Sequence, residues 1–305
     1  MTKEQEYLKE HFLESENRDG TQVSAELKAA WKVMLDILEE FIRIAKKYDL
    51  KWSMEGGSLL GAVRHKGFIP WDDDIDVVMP RKDYDKLIDV LPNELPPHLS
   101  AQTTRSVPDF HIPHLMISDS RTTGIDIDHV KWKKHFNMGI RIDVLPLDGM
   151  PCAPMRAMIK KYIIFVMNGV PRHPADWPRK SIREKVKYFI GRLLFFFFRN
   201  KGLYNLREFP LRMLPMDRYE WCGSLCARNF WHPHSIRKTE WFRDYRSVPF
   251  EYLDVSIPID AEKILTQQFG DWRTPVKGKS WHGNLILDPH TPYKTTLREK
   301  FGYEV

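Results

Sequence analysis

The chain has 305 residues, enough to bury a substantial core, and its hydrophobic fraction of 42% and dispersed charges are those of a globular protein, with nothing in them to suggest disorder or a repeat. Its formal charge of +6 suggests an acidic partner such as nucleotide phosphates, anionic lipid headgroups or a nucleic acid, without choosing among them. The three cysteines, Cys152, Cys222 and Cys226, cannot all pair and lack the partners of a four-ligand zinc site, which points to a reducing compartment. No apolar segment follows Met1, since Thr2 to Glu16 is polar; no secretion signal is read, and the expected location is the cytoplasm.

Residues 1–23 are polar and are expected to form a short helix or a loose arm ahead of a single domain over 24–305. From Ser24 to Tyr48 the apolar positions Leu27, Trp31, Met34, Leu35, Leu38, Phe41, Ile42 and Ala45 recur at helical spacing, with Ser24 as N-cap. Lys51 to Met54 reads as the first strand. Pro80 ends a later strand, and Arg81 to Leu91 is an amphipathic helix stopped by the prolines from Pro92 to Pro97. His111 to Ser118 and Arg121 to Ile127 read as a pair of strands, and Gly139 to Val144 as another. In the last, Ile140, Ile142 and Val144 face one way and Arg141 and Asp143 the other, so Asp143 is available to a site.

Met155 to Val166 reads as a helix, Pro171 to Pro178 as a proline-rich connection, and Ser181 to Arg199 as a strongly basic, aromatic helix. Its longest uncharged run is too short to span a bilayer. Burial within the protein and contact with a membrane surface are equal expectations for it. Nucleic acid ranks last, because no RNA-binding or helix-turn-helix signature accompanies the basic residues. His232-Pro233-His234 reads as a structured loop rather than a ligand set. Asp260 caps a helix over Ala261 to Phe269, closed by Gly270.

The chemistry concentrates between Trp52 and Pro80. A Gly56-Gly57-Ser58 turn entering a helix offers free backbone N–H groups that a phosphate can approach, because glycine has no Cβ in the way. Downstream, Asp72-Asp73-Asp74-Ile75-Asp76-Val77-Val78 alternates acid and apolar over its last five residues, as a half-buried strand does, so Asp74 and Asp76 are expected on one face. Two adjacent carboxylates need a compensating cation. Mg²⁺, a hard ion taking carboxylate and phosphate oxygens, fits that need, with Mn²⁺ as the alternative. A solvated acidic turn or a loose Ca²⁺ loop is the plainer reading; Ile75, Val77 and Val78 argue for the strand and the glycine turn for a site.

These residues resemble the signature of a known family. Glu55-Gly56-Gly57-Ser58-Leu59-Leu60-Gly61, then Arg64-His65, then Ile69-Pro70-Trp71-Asp72-Asp73-Asp74-Ile75-Asp76 is similar to the LicD and fukutin-related phospho-alcohol transferases. Arg141-Ile142-Asp143-Val144-Leu145-Pro146-Leu147-Asp148-Gly149 is similar to their second motif. Tyr252 to Trp272 is similar, more weakly, to their C-terminal part, and residues 150–235, a basic and aromatic helical insertion, match little.

The resemblance implies an α/β (α+β) nucleotidyltransferase fold, with a mixed sheet flanked by helices and a helical, loop-rich C-terminal half. It also implies transfer of a phospho-alcohol, classically phosphocholine from CDP-choline, to a sugar hydroxyl of a cell-surface glycan or lipopolysaccharide precursor. In that reaction Asp74 and Asp76 would be metal ligands, and Asp143 would complete the triad, either as a ligand or as the base that takes the hydroxyl proton. Gly57 and Ser58 would hold phosphate, and Arg64 and His65 would reach the diphosphate, unless they form a solvent-facing helix end. A quaternary ammonium would need an aromatic cage, for which Trp52, Trp71 and Trp132 are candidates. The expected partners are a CDP-alcohol, with CDP-choline favoured, and a glycan or lipid-linked glycan acceptor, with peripheral contact to an anionic membrane and no nucleic acid. The alternatives are CDP-ribitol or CDP-glycerol as donor, nucleotidyl transfer to a sugar phosphate, or a non-catalytic glycan- or membrane-binding module, against which the intact aspartates speak.

Overall fold

The computed structural model describes residues 2–107, 110, 112–130, 135–167, 181–226, 235–276 and 285–303. Trp132, the segment from Pro171 to Pro178 and the pair His232 and His234 lie outside the described residues. In chain order the elements begin with α1 (Lys3–Glu10), β1 (Glu16–Arg18), β2 (Thr21–Val23), α2 (Ala25–Lys47), β3 (Ser53–Met54), α3 (Gly56–Arg64), β4 (Asp76–Pro80) and α4 (Arg81–Glu94). Then follow β5 (Leu99–Gln102), β6 (Leu115–Asp119), β7 (Thr123–Asp126), α5 (Ile127–Val130), β8 (Arg141–Gly149), α6 (Ala153–Met167) and α7 (Ile182–Arg212). The last are β9 (Trp221–Gly223), β10 (Arg237–Lys238), β11 (Tyr245–Phe250), β12 (Leu253–Pro258), α8 (Ala261–Phe269), β13 (Leu285–Asp288) and α9 (Tyr293–Phe301).

The architecture is a mixed sheet flanked by helices, followed by a region rich in helices and loops. The sheet runs β10-β9-β8-β4-β3, with β6 also paired to β8 and β5 to β6. β8 is its axis. It lies parallel to β4 and antiparallel to β6 and β9. Parallel neighbours need a long crossover, here supplied by everything between Pro80 and Arg141. Ile142 and Val144 are fully buried while Arg141 and Asp143 are half-buried, which is the alternation expected of this strand.

α2 forms where its apolar stripe is expected. Ser24 caps it by accepting from the Leu27 N–H at 3.2 Å, and Trp31, Leu35, Leu38 and Phe41 are completely buried. Burying side chains of this size contributes about 1.5–3 kcal/mol each, so the stripe anchors the core.

Several local expectations are corrected. The aspartate strand begins at Asp76, and Asp72 to Ile75 form a loop, so Asp74 is not placed by strand alternation. β3 is only two residues long, and the Glu55 N–H already takes the Asp76 carbonyl at 2.9 Å, so the ladder on that side has no further partner for the preceding acids. β6 and β7 do not pair with each other. β6 enters the central sheet and β7 pairs with β13, more than a hundred and fifty residues downstream.

The first 23 residues hold a helix and a hairpin docked on the body. Arg18 donates to the Phe68 carbonyl at 2.8 Å and to Glu251 at 2.7 Å, Lys9 pairs with Glu39, and Val23 is fully buried. α6 packs against the C-terminal half of α7, where the Tyr162 hydroxyl donates to the Leu206 carbonyl at 2.7 Å and Ile159 clusters with Leu211. The N-terminal half of α7 is not the buried helix that one reading expected: Ile182, Phe189, Phe196 and Phe197 are 82%, 63%, 76% and 69% exposed.

Candidate active site

Asp76 and Asp143 are direct partners in the parallel ladder of β4 and β8. Parallel partners project to the same side from strands about 4.8 Å apart, so the two carboxylates share one face. The Asp143 N–H donates to the Ile75 carbonyl at 2.9 Å, which locks that register at the point where β4 begins. Burial pushes Asp76 well above the ordinary carboxylate range, and the negative charges of Asp74, Asp143, Glu55 and Asp72 push it further.

The loop before β4 brings a second group of acids to the same place. Oxygen atoms of Asp72, Asp73 and Asp74 lie within 4.8 Å of one another. Asp72 is pushed well above its usual range by burial first and by Asp74 and Asp73 next. This loop is held from outside. Trp31 of α2 donates its indole N–H to the Asp72 carbonyl at 2.9 Å and stacks on Phe68 with ring centroids 4.5 Å apart. Phe68 in turn gives its N–H to Glu251, the partner of Arg18.

The glycine turn faces these acids. Gly56 has φ +54, a left-handed conformation that glycine adopts without steric penalty. A Cβ on Gly57 would lie 2.9 Å from an Asp72 carboxylate oxygen, so the acid approaches as closely as it does because the side chain is missing. Glu55, the N-cap of α3, makes no side-chain cap, which leaves the first-turn N–H groups of α3 without that partner. The Ser58 hydroxyl accepts from the Asp76 N–H at 3.0 Å and thereby fixes the start of β4 to the helix.

The residues expected to act together are only partly brought together. Gly57, Ser58, Asp74, Asp76 and Asp143 converge. Arg64 and His65 lie at the far end of α3, about 12 Å along its axis from Gly56 at 1.5 Å per residue. There the Arg64 guanidinium donates to the Trp272 carbonyl, and the His65 ring is bonded to Asp19 at 2.6 Å. Trp52 is buried edge-on against Phe41, at 5.2 Å between centroids, and Trp71 is partly buried against the main core.

Sequence reasoning passed over five residues at this site. Asp72 and Asp73 join the carboxylate cluster. His114, just ahead of β6, sits with Nε2 3.4 Å from an Asp143 oxygen, and Arg141 approaches the same oxygen at 3.9 Å while donating to the Gly124 carbonyl at 2.9 Å. Arg237 of β10 forms a buried ion pair with Glu55. The acidic run itself signalled Asp72 and Asp73, and the alternation of β8 signalled Arg141; nothing local in the sequence marks His114 or Arg237.

So many carboxylates around so few cations form a site complementary to divalent metal. Hard oxygen donors in a tight cluster, with Asp72 pushed up by burial and by its acidic neighbours, fit such an ion, and Asp72, Asp73 and Asp74 are placed to coordinate one. Beside the cluster a small cavity is lined by Asp73, Asp74, Asp143, Arg141, Leu285 and Leu287.

The family model described as LicD/FKTN/FKRP, nucleotidyltransferase domain, matches residues 49–147, the stretch that holds the glycine turn, the aspartate loop, β4 and most of β8. The chain is 29% identical over 243 residues to the lipopolysaccharide cholinephosphotransferase LicD of Haemophilus influenzae, covering 79% of this chain and 88% of that protein. Shorter likenesses, 37% and 36% identical over 59 residues, link it to uncharacterized proteins of Rickettsia prowazekii and Rickettsia typhi, of which they cover 22% and 19%.

Proposed function

Starting from a chain that carries a LicD-family nucleotidyltransferase domain, and with it nucleotidyltransferase or phosphotransferase activity in general, we propose that this protein moves phosphocholine, or a related phospho-alcohol, from a CDP-alcohol to a sugar hydroxyl of a cell-surface glycan precursor. The observation that carries the reading is the convergence of Asp76 and Asp143, in register on parallel strands, with the Asp72-Asp73-Asp74 loop under the N-terminus of α3. A pure binding module has no need for repelling, half-buried carboxylates.

Asp72, Asp73, Asp74 and Asp76 would hold Mg²⁺, which when bound neutralises charge on the transferring phosphoryl group and on the departing nucleotide. The first-turn N–H groups of α3, exposed by Gly56 and Gly57, orient the donor diphosphate at the positive end of the helix. The acceptor oxygen attacks the phosphorus that bears the alcohol; the bond from that phosphorus to the bridging oxygen breaks, and CMP leaves with the electron pair. Asp143 lies on the acceptor side, where its carboxylate takes the hydroxyl proton or positions the hydroxyl, with the positive or titratable groups of His114 and Arg141 close to its oxygen. The Ser58 bond to the Asp76 N–H keeps helix and strand fixed relative to each other while this happens.

The test is CMP release from CDP-choline, CDP-ribitol and CDP-glycerol with Mg²⁺ and a sugar acceptor. Release from CDP-choline above the other donors supports the phosphocholine reading. Release from another CDP-alcohol moves the assignment to that alcohol, pyrophosphate release from a nucleoside triphosphate with a sugar phosphate indicates nucleotidyl transfer, and no release under any of these conditions overturns the enzymatic proposal.

A further inference from the structure

The N-terminal half of α7 presents an apolar stripe that the described fold leaves uncovered. Ile182, Val186, Phe189, Leu193, Phe196 and Phe197 are all exposed, and at about 100° per residue they fall within an arc of roughly 120°. Seams of this width ordinarily face a core. Here the packing against α6 reaches Leu206 and Leu211, in the other half of the helix.

The charge around the stripe selects the occupant. Between 181 and 201 the sequence holds Arg183, Lys185, Lys187, Arg192, Arg199 and Lys201 against the single acid Glu184, and the helical register puts none of the basic positions inside the apolar arc. Lys185 is exposed beside it. A strongly basic helix with Phe189, Phe196 and Phe197 exposed along one stripe matches the boundary between acyl chains and anionic headgroups. Among the described residues no helix is long and apolar enough to cross a membrane, so the match is to the surface of the bilayer.

We propose that residues 182–197 of α7 lie in the interface of an anionic membrane and hold the catalytic domain against it. The other half of α7 fixes how the domain sits. Glu208 and Arg207 pair with each other, Glu208 also pairs with Arg81 at the start of α4, and Arg81 grips Asp148 at the end of β8 with two bonds of 2.7 Å. These ion pairs are buried, so the docked helix is tied rigidly to the strand that carries Asp143.

Sedimentation of the full chain with vesicles of phosphatidylglycerol and phosphatidylcholine, or of phosphatidylcholine alone, tests this at low and high salt. The protein should pellet with the anionic vesicles at low salt and several-fold less at high salt or without phosphatidylglycerol. Phe196→Ser with Phe197→Ser should weaken the partition by about tenfold or more, with the same CMP release and melting temperature as the native chain. Lys185→Glu should weaken it through charge alone, and it decides the matter if the double variant misfolds. Native protein that stays in the supernatant with anionic vesicles at low salt overturns the proposal. So does a lipid-free dimer that the double variant converts to monomer, since the stripe would then belong to a second copy. Vesicle binding and CMP release are read separately, so failure of one leaves the other standing.

Discussion

Asp76 and Asp143 stand opposite each other in the parallel ladder of β4 and β8, and the Asp143 N–H is bonded to the carbonyl of Ile75, the residue just ahead of Asp76. The repulsion between the two carboxylates is thus built into the sheet and cannot relax by a slip in register. It is offset when one of them is protonated or a cation arrives.

Replacing either acid by asparagine should separate chemistry from stability. Asp76→Asn is expected to lower turnover by roughly a hundredfold or more, since a charged metal ligand is lost with little change in shape. Its melting temperature in EDTA should rise, because a carboxylate disfavoured first by desolvation and then by Asp74 and Asp143 has been removed. Asp143→Asn should still bind the CDP-alcohol but lose most of its kcat. Calorimetric donor titration, CMP release and melting curves on both variants check this; near-native turnover per folded molecule would remove that residue from the site.

The same acids set a pH dependence. Asp72 and Asp76 have folded pKa values above the ordinary carboxylate range, so their ionised forms are disfavoured in the fold. Their contribution to stability is complete below about pH 4, the unfolded carboxylate value, and is lost as pH rises through their folded values. Metal-free protein should therefore lose stability from mildly acidic toward neutral pH. Saturating Mg²⁺ should reverse that loss, adding about 2.7 kcal/mol at a hundredfold excess over its Kd. Melting temperature in EDTA and in Mg²⁺ across that range is the measurement; curves that coincide would argue against a metal at these acids.

Gly57→Ala should leave the fold intact and impair the site. Alanine is favoured over glycine in helices by up to about 1 kcal/mol, but its Cβ would meet the Asp72 carboxylate at 2.9 Å. That side chain can swing away, so the expected result is an unchanged or raised melting temperature with Mg²⁺ affinity weakened by roughly tenfold. Titration of Mg²⁺ against the melting temperature reads both quantities.

Arg81→Met should be severely destabilising without touching the metal site. Its guanidinium joins Asp148 to Glu208, all three buried. Burial pushes Asp148 up to about 6 even beside Arg81, while for Glu208 the burial effect is outweighed by Arg81 and Arg207 and the group is held below its usual range. Removing the cation leaves Asp148 uncompensated and Glu208 with Arg207 alone, a loss of about 3–5 kcal/mol. Urea unfolding measures it, and adding Asp148→Asn to Arg81→Met should recover part of the loss.

The sequence by itself determined the parts whose signal is local. The stripe of α2 with its Ser24 cap, the glycine turn and the alternation that exposes Asp143 follow from helical and strand periods and from the missing Cβ of glycine, and each stands in the structure near its expected place. Tertiary structure alone decided which acids meet. Asp74 reaches the site on a loop held by Trp31, and Arg237 pairs with Glu55 across 182 residues of chain. It likewise decided that Arg64 and His65 are engaged at the far end of α3, and that a helix equally suited to burial presents Phe189, Phe196 and Phe197 outward. Periodicity fixes which side of an element a residue is on. What that side meets is set by the packing of elements distant in sequence, and the strength of an ion pair or the exposure of an apolar face depends on that encounter.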